Sequence, residues 1–267
     1  MDKTGSIIYH VDAFTDEPFK GNPAGVMITK NEIDTSSMQL IAAEMNLSET
    51  AFLNRIDGGY RIRFYTPESE IDLCGHATLS SAHILYETGQ VGSEEPIKLF
   101  SKAGELLIRR SGNRIIMNFP AYTLKKVDIP EAFMEAVGFR ALELYECDYG
   151  WKLALLESED NVRSAVPDSG ALKKAGLGSL IITAPGKSPG YDFVVRCFVP
   201  ELGVYEDPVT GSAHCALTPF WSGKTGRSEF RSLQVSKRTG RLEVKLLGNR
   251  VEITGEAITV MKASLLV

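Results

Sequence analysis

The segment Glu206-Asp-Pro-Val-Thr-Gly-Ser-Ala-His214 gathers two carboxylates, two hydroxyls and an imidazole at the entrance to the apolar run Cys-Ala-Leu-Thr-Pro-Phe-Trp. Carboxylates and imidazoles accept and release protons near neutral pH, so the stretch has the composition of an acid–base site. It also has the composition of a plain helix start. Thr210 or Ser212 would then be the N-cap, Gly211 the tight turn, and the acids would complement the helix dipole. A second copy favours the chemical reading. Glu70-Ile-Asp-Leu-Cys-Gly-His-Ala77 shares the spacing E-x-x-x-x-G-x-A, with Glu70 and Gly75 each 136 positions before Glu206 and Gly211.

Another box precedes each of these. Arg63-Phe-Tyr-Thr-Pro-Glu68 and Arg196-Cys-Phe-Val-Pro-Glu201 both read R-x-aromatic-x-P-E, at an interval of 133, so three residues are inserted between the boxes of the second half. Two matched boxes in the same order predict two copies of one unit. Hydrophobic alternation and turn residues place strands at 6–14, 25–29, 51–56, 60–65, 97–101, 105–110 and 114–119. Helices are expected at 36–45 and 75–87, the second nearly free of charge and therefore buried on most sides. The second half repeats the style, with strands at 179–184, 192–198, 233–236, 241–246, 250–254 and 258–263 and an apolar helix at 211–221. The polar, proline-containing stretch 122–131 reads as a linker. The expected fold is α+β: two pseudo-symmetric lobes, each a curved, mainly antiparallel sheet or barrel around a central apolar helix.

Both boxes end at a glycine that opens such a helix, where backbone N–H groups lack partners and carry partial positive charge. Two such starts, facing each other across a cleft between the lobes, would suit a substrate carboxylate or a developing enolate. The bulk composition narrows the classes. With 267 residues, 43% hydrophobic, 24% charged and a net charge of -5, the chain is globular, and no basic run interleaved with aromatics suggests nucleic acid. No secretory signal or membrane-length apolar run is visible. The scattered Cys74, Cys147, Cys197 and Cys215 fit reduced thiols in the cytoplasm. His10, His76, His83 and His214 show no metal-ligand spacing, so no metal is expected.

Taken together with Val11-Asp-Ala-Phe-Thr15, Gly21-Asn-Pro-Ala-Gly-Val26 and Asn46-Leu-Ser-Glu-Thr-Ala-Phe52, these motifs span nearly the whole chain. The chain resembles the PhzF (phenazine biosynthesis-like) isomerase family, within the group sharing the diaminopimelate epimerase fold. The resemblance implies a cofactor-free isomerase, a homodimer, acting on a small carboxylate-bearing substrate. It implies that Glu49 shuttles a proton and that His76, Asp207 and Ser212 assist, with Asn22, Gly75, Ala77, Thr78, Gly211 and Ala213 binding substrate. It also returns the last strand to the first sheet, giving lobes 1–118 plus 256–267 and 119–255, with the active site between them.

The residues bear on this independently. Glu49 stands just before apolar Ala51-Phe-Leu53, where burial would raise its pKa toward neutrality, as a general acid/base requires. His76, at a helix N-terminus, would be held neutral. Cofactor-free epimerases of this fold place one cysteine from each half on opposite faces of the reacting carbon. Here Cys74 has Thr210 as its counterpart, and an alcohol is too weak an acid for that role. A single base moving a proton between two positions, a 1,3-type shift, is therefore expected. The alternatives are a two-base amino-acid racemase or epimerase, and a catalytically idle binding or scaffold relative. A thiol hydrolase using Cys74 and His76 is disfavoured because residues two apart on a helix do not face each other.

Overall fold

The computed structural model describes residues 6–266. Residues 1–5 and 267, which the expected lobe boundaries include, lie outside the described residues. Two compact units form, one reaching Asn118 and resuming at Thr254, the other spanning Phe119–Ile253. The chain runs through β1 (Ser6–Ala13), β2 (Asn22–Thr29), α1 (Thr35–Met45), β3 (Glu49–Ile56), β4 (Gly59–Tyr65), β5 (Glu70–Ile71) and α2 (Gly75–Glu87). There follow β6 (Ile97–Ser101), β7 (Gly104–Ser111), β8 (Arg114–Pro120), β9 (Leu124–Val127), α3 (Phe133–Val137), β10 (Glu143–Cys147) and β11 (Lys152–Leu155). Then come α4 (Glu159–Ser164), α5 (Ser169–Lys174), β12 (Leu180–Pro185), β13 (Phe193–Val199), β14 (Val204–Asp207) and α6 (His214–Thr225). The chain ends with β15 (Glu229–Gln234), β16 (Gly240–Leu247), β17 (Arg250–Gly255) and β18 (Ala257–Leu265).

The duplication extends to strand pairing. In the first unit β18 pairs antiparallel with β1, β1 antiparallel with β2, β2 parallel with β3, and β3 antiparallel with β4. The free edge of β4 is shared end to end by antiparallel β5 and parallel β6, and β7 then pairs antiparallel with β6. In the second unit β9, β10, β11, β12 and β13 repeat those relations in the same order. The edge of β13 is shared by antiparallel β14 and parallel β15, with β16 beyond. β9 thus holds the place in its sheet that β18 holds in the first.

In the first unit α2 packs against β1, β2, β3 and β18. Ten of its thirteen residues are buried, which requires the sheet to curve around it. Two of its buried hydroxyls are compatible with an apolar setting because Thr78 and Ser81 donate to the carbonyls of Cys74 and Ala77, both at 2.7 Å. The other face of this sheet is covered by α1, through Met38 and Ala42 on Ile8, Met27, Phe52 and Tyr65. In the second unit α6 packs on β15 and β16, and a separate core gathers Phe133, Leu172, Ile182, Val194 and Phe198. Each fully buried aliphatic or aromatic side chain of this kind contributes about 1.5–3 kcal/mol.

The architecture is the expected α+β one, with three local corrections. Stretch 122–131 is not a bare linker, because β9 lies within it and pairs with β10. The strand expected at 233–236 is β15, four residues earlier, where Phe230 and Ser232–Gln234 are buried. The helix expected at 211–221 begins at His214. Its entrance is tightened by i→i+3 bonds, His214 N–H to Gly211 C=O and Cys215 N–H to Ser212 C=O, both 3.0 Å. Pro219 inside α6 has no N–H for the Cys215 carbonyl, which instead accepts from Tyr122 N–H at 2.8 Å. Among the described residues no helix is long and apolar enough to cross a membrane.

Candidate active site

The V-D-A-F-T and G-N-P-A-G-V motifs flank one loop of the first unit. Phe14 and Phe19 hold φ values of 63° and 66°, which bulky residues rarely adopt. Buried Asp12 fixes the loop by accepting Phe19 N–H at 2.7 Å. Gly21, at φ +65°, must be glycine, since a Cβ there would lie 2.1 Å from the Ala13 carbonyl oxygen. The turn delivers Asn22, fully buried, to the first position of β2.

The N-L-S-E-T-A-F motif ends α1 and starts β3. Asn46 caps the helix in the left-handed conformation, φ 49°. Glu49 then opens β3 beside Ala24 of parallel β2. Cys74, in extended conformation, is the N-cap of α2 and makes no side-chain cap bond. His76 follows within the first turn and is buried.

These elements converge on the His76 ring. Glu49 Oε2 lies 3.0 Å from His76 Nε2, with side-chain exposures of 17% and 7%. That oxygen is buried and otherwise has no hydrogen-bond partner among the described residues. Ser48 Oγ is 3.4 Å from Nε2, Asn22 Nδ2 is 3.2 Å from Nδ1, and Cys74 Sγ is 3.4 Å from Nδ1.

The electrostatics reverse the expectation for both proton carriers. Burial alone would push the Glu49 carboxyl up, but the facing His76 charge and the bonds from His76, Ser48 and Cys74 outweigh it and hold the group below its usual range. Burial likewise opposes charge on His76, yet Cys74 and Glu49 raise its pKa well above the ordinary value. The Cys74 thiol is itself pushed up by burial and by Glu49. Glu49 is therefore the counter-charge, and the pair reads as carboxylate and imidazolium, not as a neutral imidazole beside a protonated acid.

A further expectation is corrected. Cys74 and His76 do face each other, because extended Cys74 precedes the helix and the helical spacing argument does not reach it. Ser48 approaches the same imidazole nitrogen as Glu49.

The two boxes prove to be one device. Arg63 Nε and Nη2 donate to Glu70 Oε1 and Oε2, both at 2.8 Å, and Arg196 Nε and Nη2 donate to Glu206 Oε1 and Oε2 at 2.7 and 2.9 Å. Each guanidinium also lies over the aromatic two residues on, Tyr65 at 5.3 Å and Phe198 at 4.9 Å. The first residue of one box thus grips the first residue of the other, in the bidentate geometry that only arginine offers. Glu70 and Glu206 are structural, and Glu206 is removed from the proton-handling set. Arg196 Nη1 additionally donates to the carbonyls of Val162, Arg163 and Ala165 at 3.1, 3.2 and 2.7 Å, closing the end of α4.

At the second entrance neither Thr210 nor Ser212 is the N-cap. Ala213 holds that position, with no side-chain cap bond. Thr210 instead donates its hydroxyl to Asp207 Oδ2 at 2.5 Å, and its N–H to Gln234 Oε1 at 2.9 Å. Gln234 returns a bond to the Asp207 carbonyl at 2.7 Å. Fully buried His214 bonds the Thr210 carbonyl through Nδ1 at 2.9 Å and Ser232 Oγ through Nε2 at 2.8 Å. Sequence reasoning missed Gln234 and the role of His214. Of the expected substrate-binding residues, Ala77, Thr78 and Ala213 are wholly buried. Both donors of Thr78 are used on the Cys74 carbonyl. Gly75 and Gly211 offer backbone only.

Glu49, Cys74 and His76 also present metal-type donor atoms within 4.8 Å of one another. A rule based on histidine spacing could not find this group, because its members come from β3 and the start of α2.

Comparison with known proteins identifies the family. The family model of phenazine biosynthesis-like proteins, PhzC-PhzF, matches residues 11–263. An uncharacterized isomerase of Halalkalibacterium halodurans is 43% identical over 260 residues, covering 97% of this chain and 98% of that protein. The crystal structure of a PhzF-family phenazine biosynthesis protein from Enterococcus faecalis aligns with a TM-score of 0.94 at 37% identity, over 99% of this chain and 100% of that one. As fold alone, a probable proline racemase from Agrobacterium radiobacter aligns with a TM-score of 0.67 at 12% identity, over 97% and 92%. The shared sequence along nearly the whole length, on a shared fold, places this chain in the PhzC-PhzF family of phenazine biosynthesis-like proteins, as an enzyme of the isomerase type.

Proposed function

We propose that the protein moves a proton between two carbons of a small, carboxylate-bearing substrate with its own side chains, shifting a double bond in the process. The observation that carries this reading is the Glu49–His76 pair, whose carboxylate Oε2 faces the imidazole Nε2 at 3.0 Å. Glu49, as carboxylate, takes a proton from a carbon next to the carboxylate or carbonyl. The C–H electron pair becomes part of a new double bond, the old double bond moves one place, and Glu49 returns the proton to the far carbon. The His76 charge lowers the cost of the developing anion. It also sets the basicity of Glu49, and Ser48 and the Asn22 amide, with its oxygen turned to accept from Nδ1–H, hold the ring in place.

A substrate carboxylate is assigned to the first-turn amides of Gly75 and His76, because α2 starts without a side-chain cap. Asp207 and Ser212 are assigned supporting roles as proton holder and substrate anchor at the equivalent entrance of the second unit. Asp207 is pre-oriented for its role by Thr210 and Gln234.

The test is solvent exchange. A panel of small unsaturated carboxylates is incubated with the protein in deuterium oxide, and label is located by proton NMR. The expected outcome is deuterium at one of two carbons separated by one atom, with Glu49→Gln slowing its appearance by about 10²–10⁴. A second reading rests on the 3.4 Å contact between Cys74 and His76: a two-base racemase using the thiol. It predicts label at a single inverted stereocentre and dependence on Cys74, and that result would overturn the first.

A further inference from the structure

Among the described residues one group of three carries the donor types that borderline transition metals select: a carboxylate oxygen, a thiol sulfur and an imidazole nitrogen. All three belong to the first unit, and none is an exposed surface acid. The edges of a tetrahedral zinc site follow from its bond lengths. With metal–ligand distances of about 2.0–2.3 Å, neighbouring ligand atoms stand about 3.4–3.6 Å apart. His76 Nε2 lies 3.0 Å from Glu49 Oε2 and 3.9 Å from Cys74 Sγ, one a little short and the other a little long. The third edge, within 4.8 Å, closes by rotation about the Glu49 side-chain bonds. The Asn22 amide, 3.2 Å from Nδ1, is placed to orient the ring while Nε2 coordinates once it turns its oxygen to accept from Nδ1–H, as outer groups do around ligating histidines.

We propose that Glu49, Cys74 and His76 bind a zinc-type divalent cation with three protein ligands and one open position. Bound there, the cation occupies both groups of the acid–base pair and acts as an inhibitor of the isomerase. Binding itself goes beyond the proton-shuttle reading and does not depend on it; only the inhibition rests on that reading. The local chemistry agrees, since a divalent ion held by a thiolate and a carboxylate leaves a buried pocket without net charge.

The test uses the full chain, reduced with a phosphine and treated with chelator, then titrated with Co²⁺. The expected result is one thiolate-to-cobalt charge-transfer band per chain, displaced by one equivalent of Zn²⁺. Cys74→Ser should abolish the band, and Glu49→Gln should weaken binding by about 10–100-fold. Cys147→Ser, at the partly exposed thiol, should leave the band intact. Circular dichroism of each variant checks the fold. A missing band, a band that survives in Cys74→Ser, or zinc lost on desalting would overturn the site. Zinc that binds stoichiometrically yet leaves deuterium exchange unchanged would instead overturn the inhibition and count against Glu49 as the base.

Discussion

His214, the last residue of the opening motif, allows a prediction whose size comes from the structure. Its ring is fully buried. It makes two bonds, to the Thr210 carbonyl and Ser232 Oγ, that suit a neutral imidazole donating at Nδ1 and accepting at Nε2. Burial lowers its pKa from 6.5 to about 4. The sign follows from proton counting. Between pH 6.5 and 4 the unfolded chain holds a proton on this residue and the folded protein does not, so stability falls as pH falls. A shift of this size corresponds to about 3 kcal/mol. Both tryptophans, 151 and 221, belong to the Phe119–Ile253 unit that contains His214. Urea unfolding followed by tryptophan fluorescence therefore reports the unit in question. Wild type should lose about 3 kcal/mol more than His214→Gln between pH 7 and pH 4. Parallel curves for the two proteins would refute the reasoning, and a titration of His214 near 6.5 by NMR would show why.

Arg196→Met should destabilise the second unit by about 3–5 kcal/mol, because it strands Glu206 and three carbonyls. Arg63→Met should cost the first unit only about 1–2 kcal/mol, because Glu70 keeps Lys102 at 2.8 Å; thermal melts that reverse this order would contradict the clamp. Ser48→Ala removes a contact to His76 and should slow exchange about fivefold, the worth of roughly 1 kcal/mol, well short of the loss in Glu49→Gln. Equal losses in those two variants would mean that the hydroxyl, not the carboxylate, handles the proton.

The duplication was legible because a bidentate clamp demands arginine and glutamate at fixed places on paired strands, and the paired aromatic must follow the arginine by two. Glu49 and His76 were legible as motif members, but not as partners, since they stand 27 positions apart in the chain and meet only through the packing of α2 on β3. Their charge states were misjudged for that reason: Glu49 was weighed against burial and His76 against a helix N-terminus, whereas His76 holds Glu49 down and Cys74 and Glu49 raise His76. The entrance of α6 was misjudged because a threonine and a serine before an apolar run read as caps, whereas Asp207 and Gln234 occupy Thr210 first. Helices α4 and α5 escaped notice as six-residue segments too short to show a period.

The central claim, that Glu49 and His76 hold a charged pair ready to pass a proton, is tested most directly by NMR titration of His76 in chelator-treated protein. His76 is one of four histidines and can be assigned by its loss in His76→Gln. In the wild type its pKa should lie above 6.5, and in Glu49→Gln burial should prevail and bring it below 6.5. A His76 that titrates at or below 6.5 in the wild type, or that does not move when Glu49 is neutralised, would contradict the account.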